Sequence, residues 1–353
     1  MKQLSIFLWM IILYSGVLPV YGQNHPKFPP AIFSSSEKLP DGLLAGKIVV
    51  IIDGEESQWK EVSEGIHRRI REFGIDPIAY FHISELSSGI EIRRLFADNL
   101  KRRETRFLFL YEIEEGQVRL NITAFNGNHT FYTTGQPSWE IRASDMEQCL
   151  TVLYRKIGQS KLKMSNFLIA DVPEFFDDVH LIKANRNEQF ARDLKLDKMA
   201  VVLLPYLPET DGVGKEEVEK YNKELREDSI RLVELMEAYP FEYQIISYTE
   251  DEVSLRTKGF HFILYQVYNS GYAVKEYLNY KINPNETGYI SVKKSGGNPS
   301  LKTIPIGEEV YKYYVKHIYT KDVYLGKDWD ADQNWEVALL NYIAGLKQAT
   351  GVK

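Results

Sequence analysis

Two unbroken apolar runs dominate the pattern of the chain. Residues 47–54, KIVVIIDG, and residues 198–206, KMAVVLLPY, each set five or six largely β-branched apolar positions between a lysine and a turn former. A short run without polar alternation suits a central strand covered on both faces. The elements after each run come in a similar order, so the pattern predicts a duplicated α/β unit.

In the first unit, Trp59, Val62, Ile66, Ile70 and Phe73 recur at spacings of 3, 4, 4 and 3, one apolar helix face that Gly74 terminates. Residues 75–83 read as a second strand, so a parallel crossover is expected. Residues 90–103 read as a helix with Ile92, Leu95, Phe96 and Leu100 inward and Arg93, Arg94, Lys101, Arg102 and Arg103 on a solvated face. Strands over 106–113, 118–125 and 129–133 come next, with turns at Glu115-Gly116 and Asn126-Gly127. A helix over 144–159 closes the unit, with Ser144 and Glu147 as a capping box. Residues 167–172 suggest an edge strand and residues 187–196 a polar helix.

The second unit repeats this order. Val218, Tyr221, Leu225, Leu232, Met236 and Tyr239 make its first helix, and residues 241–248 its second strand. Residues 260–268 match 106–113, with Leu264-Tyr265 opposite Leu110-Tyr111, and the helix between these strands is shortened or lost. Residues 273–282 and 288–293 continue the meander, and helices over 308–319 and 332–348 end the chain. The expected fold class is α/β with α+β character: two tandem, duplicated units of two or three layers. Each holds a mixed sheet made of a β-α-β crossover, an antiparallel meander and a closing helix. The units span 47–160 and 198–353, joined by a connecting segment, 161–197.

Behind Lys2, an apolar run over 4–13 precedes a Gly16 and Pro19 break and Val20-Tyr21-Gly22. This predicts a signal peptide over 1–22, cleaved near Gly22, with an uncleaved anchor as the alternative. Residues 23–46, with Pro26, Pro29, Pro30 and Pro40, read as an extended tether. The expected location is therefore periplasmic or secreted, with no transmembrane span in the mature chain. Net charge is -6, acids and bases are interspersed, and the lack of a basic face argues against nucleic acid. Cys149 is the single cysteine, which excludes an intrachain disulfide and fits a buried, inert thiol.

Reactive motifs are sparse. Neither core run is followed by a phosphate loop, and the sequence lacks Gly-x-Ser-x-Gly and His-Glu-x-x-His. No cofactor is expected. Asp53, with Glu55 beside it, lies at the carboxyl end of a central strand, where open α/β sheets place ligands. Asp76 is a further acid candidate. Asp171, Glu174, Asp177, Asp178 and His180 read as a solvated acidic segment, and His261 as a hydrogen-bonded strand residue. Asp328, Asp330 and Asp332 alternate as calcium ligands can, but Gln333 and Leu339 replace the glycine and glutamate of an EF-hand. The plainer reading makes them caps of the following helix. Export, duplication and 23 tyrosines point to a non-enzymatic cell-envelope or secreted protein that binds a protein or polysaccharide partner. The alternative is an exported hydrolase using the acids at the end of the first core strand.

Overall fold

The computed structural model describes residues 28–114, 116–175, 181–209, 214–247, 252–283, 285–294 and 299–352. The expected signal peptide, together with Asp177, Asp178 and His180, lies outside the described residues.

In the first unit the chain runs β1 (Ser34–Ser35), β2 (Lys47–Asp53), α1 (Trp59–Glu72), β3 (Asp76–His82), α2 (Ile83–Ser87), α3 (Ile90–Arg102), β4 (Thr105–Glu114), β5 (Gln117–Ala124), β6 (Pro137–Ala143) and α4 (Met146–Gln159). The second contains β7 (Arg186–Asn187), β8 (Met199–Leu203), α5 (Lys215–Met236), β9 (Tyr243–Ser247), α6 (Glu252–Thr257) and β10 (Phe262–Ser270). It continues with α7 (Gly271–Tyr277), β11 (Gly288–Lys293), β12 (Ser300–Pro305), β13 (Glu309–His317), β14 (Val323–Tyr324) and α8 (Trp335–Thr350). The two six-stranded mixed sheets have orders β1-β6-β5-β4-β2-β3 and β7-β14-β13-β10-β8-β9. Position by position these are the same topology. The core strand lies parallel to both neighbours, two antiparallel strands come after, and a parallel edge strand completes each sheet.

That edge strand comes from the chain preceding the core strand. Residues 28–46, expected as tether, supply β1 and bury Leu39, Leu43 and Leu44, while β7 opens the second sheet from within the expected connecting segment. Such two-residue strands carry no periodicity, so pattern could not reveal them. The anticipated edge strand over 167–172 is irregular, with Leu168 97% exposed. The polar helix over 187–196 reduces to a single 3-10 turn, Arg192–Lys195.

Several other boundaries are corrected. The third meander strand is β6, and residues 129–133 form a loop. Asp145, and not Ser144, caps α4 by accepting from the Gln148 amide at 2.8 Å. Residues 271–277 are helical, and β11 pairs with β12 in a separate two-stranded sheet inserted into the meander. The helix expected over 308–319 is strand β13. Its buried residues face both ways, and Lys312 and Lys316, four apart, imitate the polar stripe of a helix. Leu264 pairs with Val201 as Phe109 pairs with Val50, so the matched registers are one residue off the expected pairing, a slip that exchanges faces.

The layers run helix, sheet, helix, sheet, helix. One outer core holds Ile48, Val50, Ile52, Ile66, Ile70 and Leu150, and the other Met199, Val201, Leu235, Trp335 and Leu339. The middle core is continuous between the units, joining Val49, Ile51, Phe81 and Phe96 to Ala200, Ile263, Val267 and Tyr314. Helix α3 lies in that layer. Its start approaches β10 so closely that a Cβ on Gly89 would come within 2.8 Å of the Gln266 carbonyl. Arg93, expected in solvent, is therefore buried and Arg94 half-buried. No described helix is long and apolar enough to cross a membrane.

Candidate functional site

Strand β2 lies between β3 and β4, where connections leave in opposite directions, and its carboxyl end is a natural place for a ligand. Asp53 is there, exposed, and its register partner on β4 is Glu112. Adjacent strands set such residues roughly 5 Å apart at Cα. Although Asp53 as a whole residue is exposed, partial desolvation of its carboxyl pushes it up, while His82 and Arg119 pull it down. Burial likewise raises Glu112, against the Arg119 guanidinium held 2.9 Å away.

His82 is committed locally. Nε2 meets the Gly54 carbonyl at 3.0 Å, and Nδ1 accepts from the Ser84 amide at 3.3 Å, tying the loop after β2 to α2. Glu55 is solvent-exposed and accepts from Gln58 at 3.4 Å. Asp76 starts β3 opposite Lys47, at the other end of the sheet. The length of β2 separates it from Asp53 by roughly 20 Å, so these acids cannot act together. A cavity of about 120 Å³ remains beside Asp53, lined by Phe28, Pro29 and Pro30. The Phe28 ring packs edge-on against Phe131 and Tyr132 at 5.5 Å, and Tyr132 donates to the Pro29 carbonyl. The segment before β1 thus narrows the approach.

The alternating acids before α8 diverge. Asp328 pairs with Lys294 at 2.8 Å, Asp330 with Lys312 at 2.6 Å and Asp332 with Lys302 at 3.5 Å. Asn334, not an aspartate, caps α8 by accepting from Val337 at 3.1 Å. Lys312 and Asp330 are fully buried, and desolvation drives each toward its neutral form against the attraction of the other. Among the described residues, no group of three or more His, Cys, Asp or Glu side chains is arranged to hold a metal ion. His261 Nδ1 donates to the Asp197 carboxylate at 2.8 Å. Cys149 is buried, which pushes its thiol up.

A wider space opens between the units. This cleft, of about 610 Å³, is lined by Arg94, Lys101, Lys183, Arg256, Lys316 and Lys321, by Glu91, Asp98 and Glu252, and by Leu95, His129 and Leu181 among others. At one side Glu91 accepts from Tyr314 at 2.6 Å and pairs with Lys316. Glu252 takes Lys316 at 3.0 Å, Lys321, and Arg94 at 3.7 Å. Burial opposes ionisation of Glu252, yet Lys316 and Lys321 outweigh it and hold the carboxyl below its ordinary range. His129 is pushed down to about 4 by burial, with Arg93 and Arg94 adding repulsion.

The sequence displayed Arg94 and Lys101 as helix surface, but nothing in it placed residues 129, 183, 252–256 and 316–321 against them. A second groove, of about 780 Å³, runs between Phe190, Arg192 and the end of α8. No protein-family model, no curated protein and no solved structure matches the chain.

Proposed function

We propose that this is an exported, non-enzymatic protein of the cell envelope or its surroundings, binding a protein or polysaccharide partner through its duplicated α/β units. The observation that carries the reading is the cleft between the units, walled by both and within the volume range of roughly 300–1,000 Å³ common for ligand sites. The separation of Asp53 from Asp76 adds support. So does the engagement of both His82 nitrogens, which leaves that ring no position as a base.

The hydrolase alternative draws on one observation, the pairing of Asp53 with Glu112 in a small cavity. Against it, Arg119 occupies Glu112 and the Phe28–Pro30 segment narrows the approach.

The reading is tested by reversible crosslinking of the mature protein in the intact envelope of its own host. One partner should be recovered, and recovery should drop when Lys101 and Lys183 are changed to Glu. Absence of a partner would defeat the reading. Loss of hydrolytic activity in Asp53→Asn would instead establish the alternative. Export itself predicts an N-terminus at or near Gln23 by mass spectrometry, and a mature chain retaining Met1 would refute it.

A further inference from the structure

We propose that the cleft between the units binds an acidic sugar, its carboxylate or sulfate held by Lys101, Lys183 and Arg256. This rests on the binding reading above and names the ligand class. In a chain of net charge -6, the cleft gathers six Lys and Arg side chains against three acids. Arg94, Lys316 and Lys321 are consumed by Glu91 and Glu252, and that network fixes one wall.

Lys101 at the end of α3, Lys183 ahead of β7 and Arg256 on α6 remain. Among the described residues none of the three has a carboxylate within 4.0 Å. They come from three separate segments and from both units. The Arg256 guanidinium lies 5.7 Å from the Tyr319 ring, and its buried Nε has no hydrogen-bond partner among the described residues. A guanidinium carries its N–H donors in a planar fork that matches a carboxylate or sulfate. Cations fixed on a concave, partly apolar surface concentrate the field on whatever enters.

The acids decide between an acidic sugar and an acidic peptide. Asp98 lies in the same lining and, among the described residues, pairs with no base. It would repel a run of glutamates, but it can accept from sugar hydroxyls while the neighbouring cations take the anionic group. Leu95 and Val253 add apolar surface for the C–H face of a ring.

Calorimetric titration of the mature protein tests this with four probes: trigalacturonate, a sulfated galactose trisaccharide, the neutral galactose trisaccharide and hexaglutamate. One of the charged sugars should bind at least tenfold more tightly than the neutral sugar and than hexaglutamate, and weaken as salt rises. Which of the two binds identifies the anion as carboxylate or sulfate. Lys101→Glu with Lys183→Glu, both at exposed positions, should weaken binding at least tenfold without moving the melting temperature.

Equal binding of the neutral sugar, preference for hexaglutamate, no sugar binding, or indifference to the charge reversals would each overturn the proposal. If the doubly reversed variant still crosslinks to the envelope partner, the acidic-sugar assignment fails while the binding reading survives at another surface. If the wild type captures nothing, both fail.

Discussion

At the carboxyl end of β2 the first unit sets Asp53 beside Glu112, with Glu55 and Glu56 in the loop beyond. At the corresponding end of β8 the second unit sets Leu203 and Leu204. The small pocket there, about 50 Å³, is lined by Val201, Val202, Leu264 and Tyr265, and by Ile90 from the first unit's α3. The duplicated topology therefore repeats a location without repeating its chemistry. The cause is packing: α3 reaches β10, so the second core strand ends against the first unit, whereas the first ends near solvent.

The strand after the meander turn differs in the same way. Aligned on register, Arg119, Asn121 and Thr123 of β5 correspond to Lys312, Tyr314 and Lys316 of β13. One face of this strand is polar in both units. Arg119 pairs with Glu112 near the surface, while Lys312 is fully buried and depends on Asp330 and the Leu325 carbonyl, 2.9 Å away. Burial of the same strand position turns a cross-strand pair into an obligatory one.

The largest expected effect contrasts the two core strands. Val50 is fully buried, so Val50→Asp places a charge in a dry sheet at an effective penalty of several kcal/mol. Val202, its near counterpart, is only half-buried, and Val202→Asp should cost visibly less. Soluble yield and denaturant midpoints measure both, and equal losses would contradict the asymmetry.

Next comes the buried pair of the second unit. Asp330→Ala strands Lys312 and should cost about 3–5 kcal/mol, whereas joint replacement by Leu and Met should recover most of it. Arg119→Ala in the first unit should cost less, because its pair with Glu112 is partly solvated. Urea unfolding of the variants checks the order, and a harmless Asp330→Ala would refute it.

A smaller effect is pH-dependent and belongs to the cleft. His129 has its folded pKa lowered from 6.5 to about 4, so the unfolded chain takes up the proton first. Its stability contribution is complete above 6.5 and is lost as pH falls toward about 4. Glu252, also depressed, adds a loss below its ordinary value of 4.5. Melting temperature against pH should therefore decline across this window, less steeply in His129→Gln. An unchanged slope in that variant would exclude His129 as the source. The smallest effect is a cap: Asn334→Ala should lower stability by about 1 kcal/mol, and Asn334→Asp by little.

Local chemistry made much of the fold legible. The two core strands, α1, α3 and α5 declare themselves because burial on two faces or along one helical stripe leaves a fixed period in the residues. Asp53 could be placed at a strand end for the same reason. Strand β13 could not be read, since Lys312 and Lys316 look like solvent positions until Asp330 and Glu91, distant in sequence, are brought to them. Asn121, within an Asn-x-Thr triplet, is similarly buried in β5, where an N-linked glycan has no room.

The sequence by itself determined the α/β class, the order of the main elements and the twofold recurrence, because hydrophobic period and turn chemistry are properties of neighbouring residues. Only the tertiary structure decided that the segments ahead of the core strands close the sheets, that the units share their middle core, and that Lys101, Lys183 and Arg256 face one cleft. Each of those facts depends on contact between residues far apart along the chain, and no local spacing encodes which distant surfaces will bury one another.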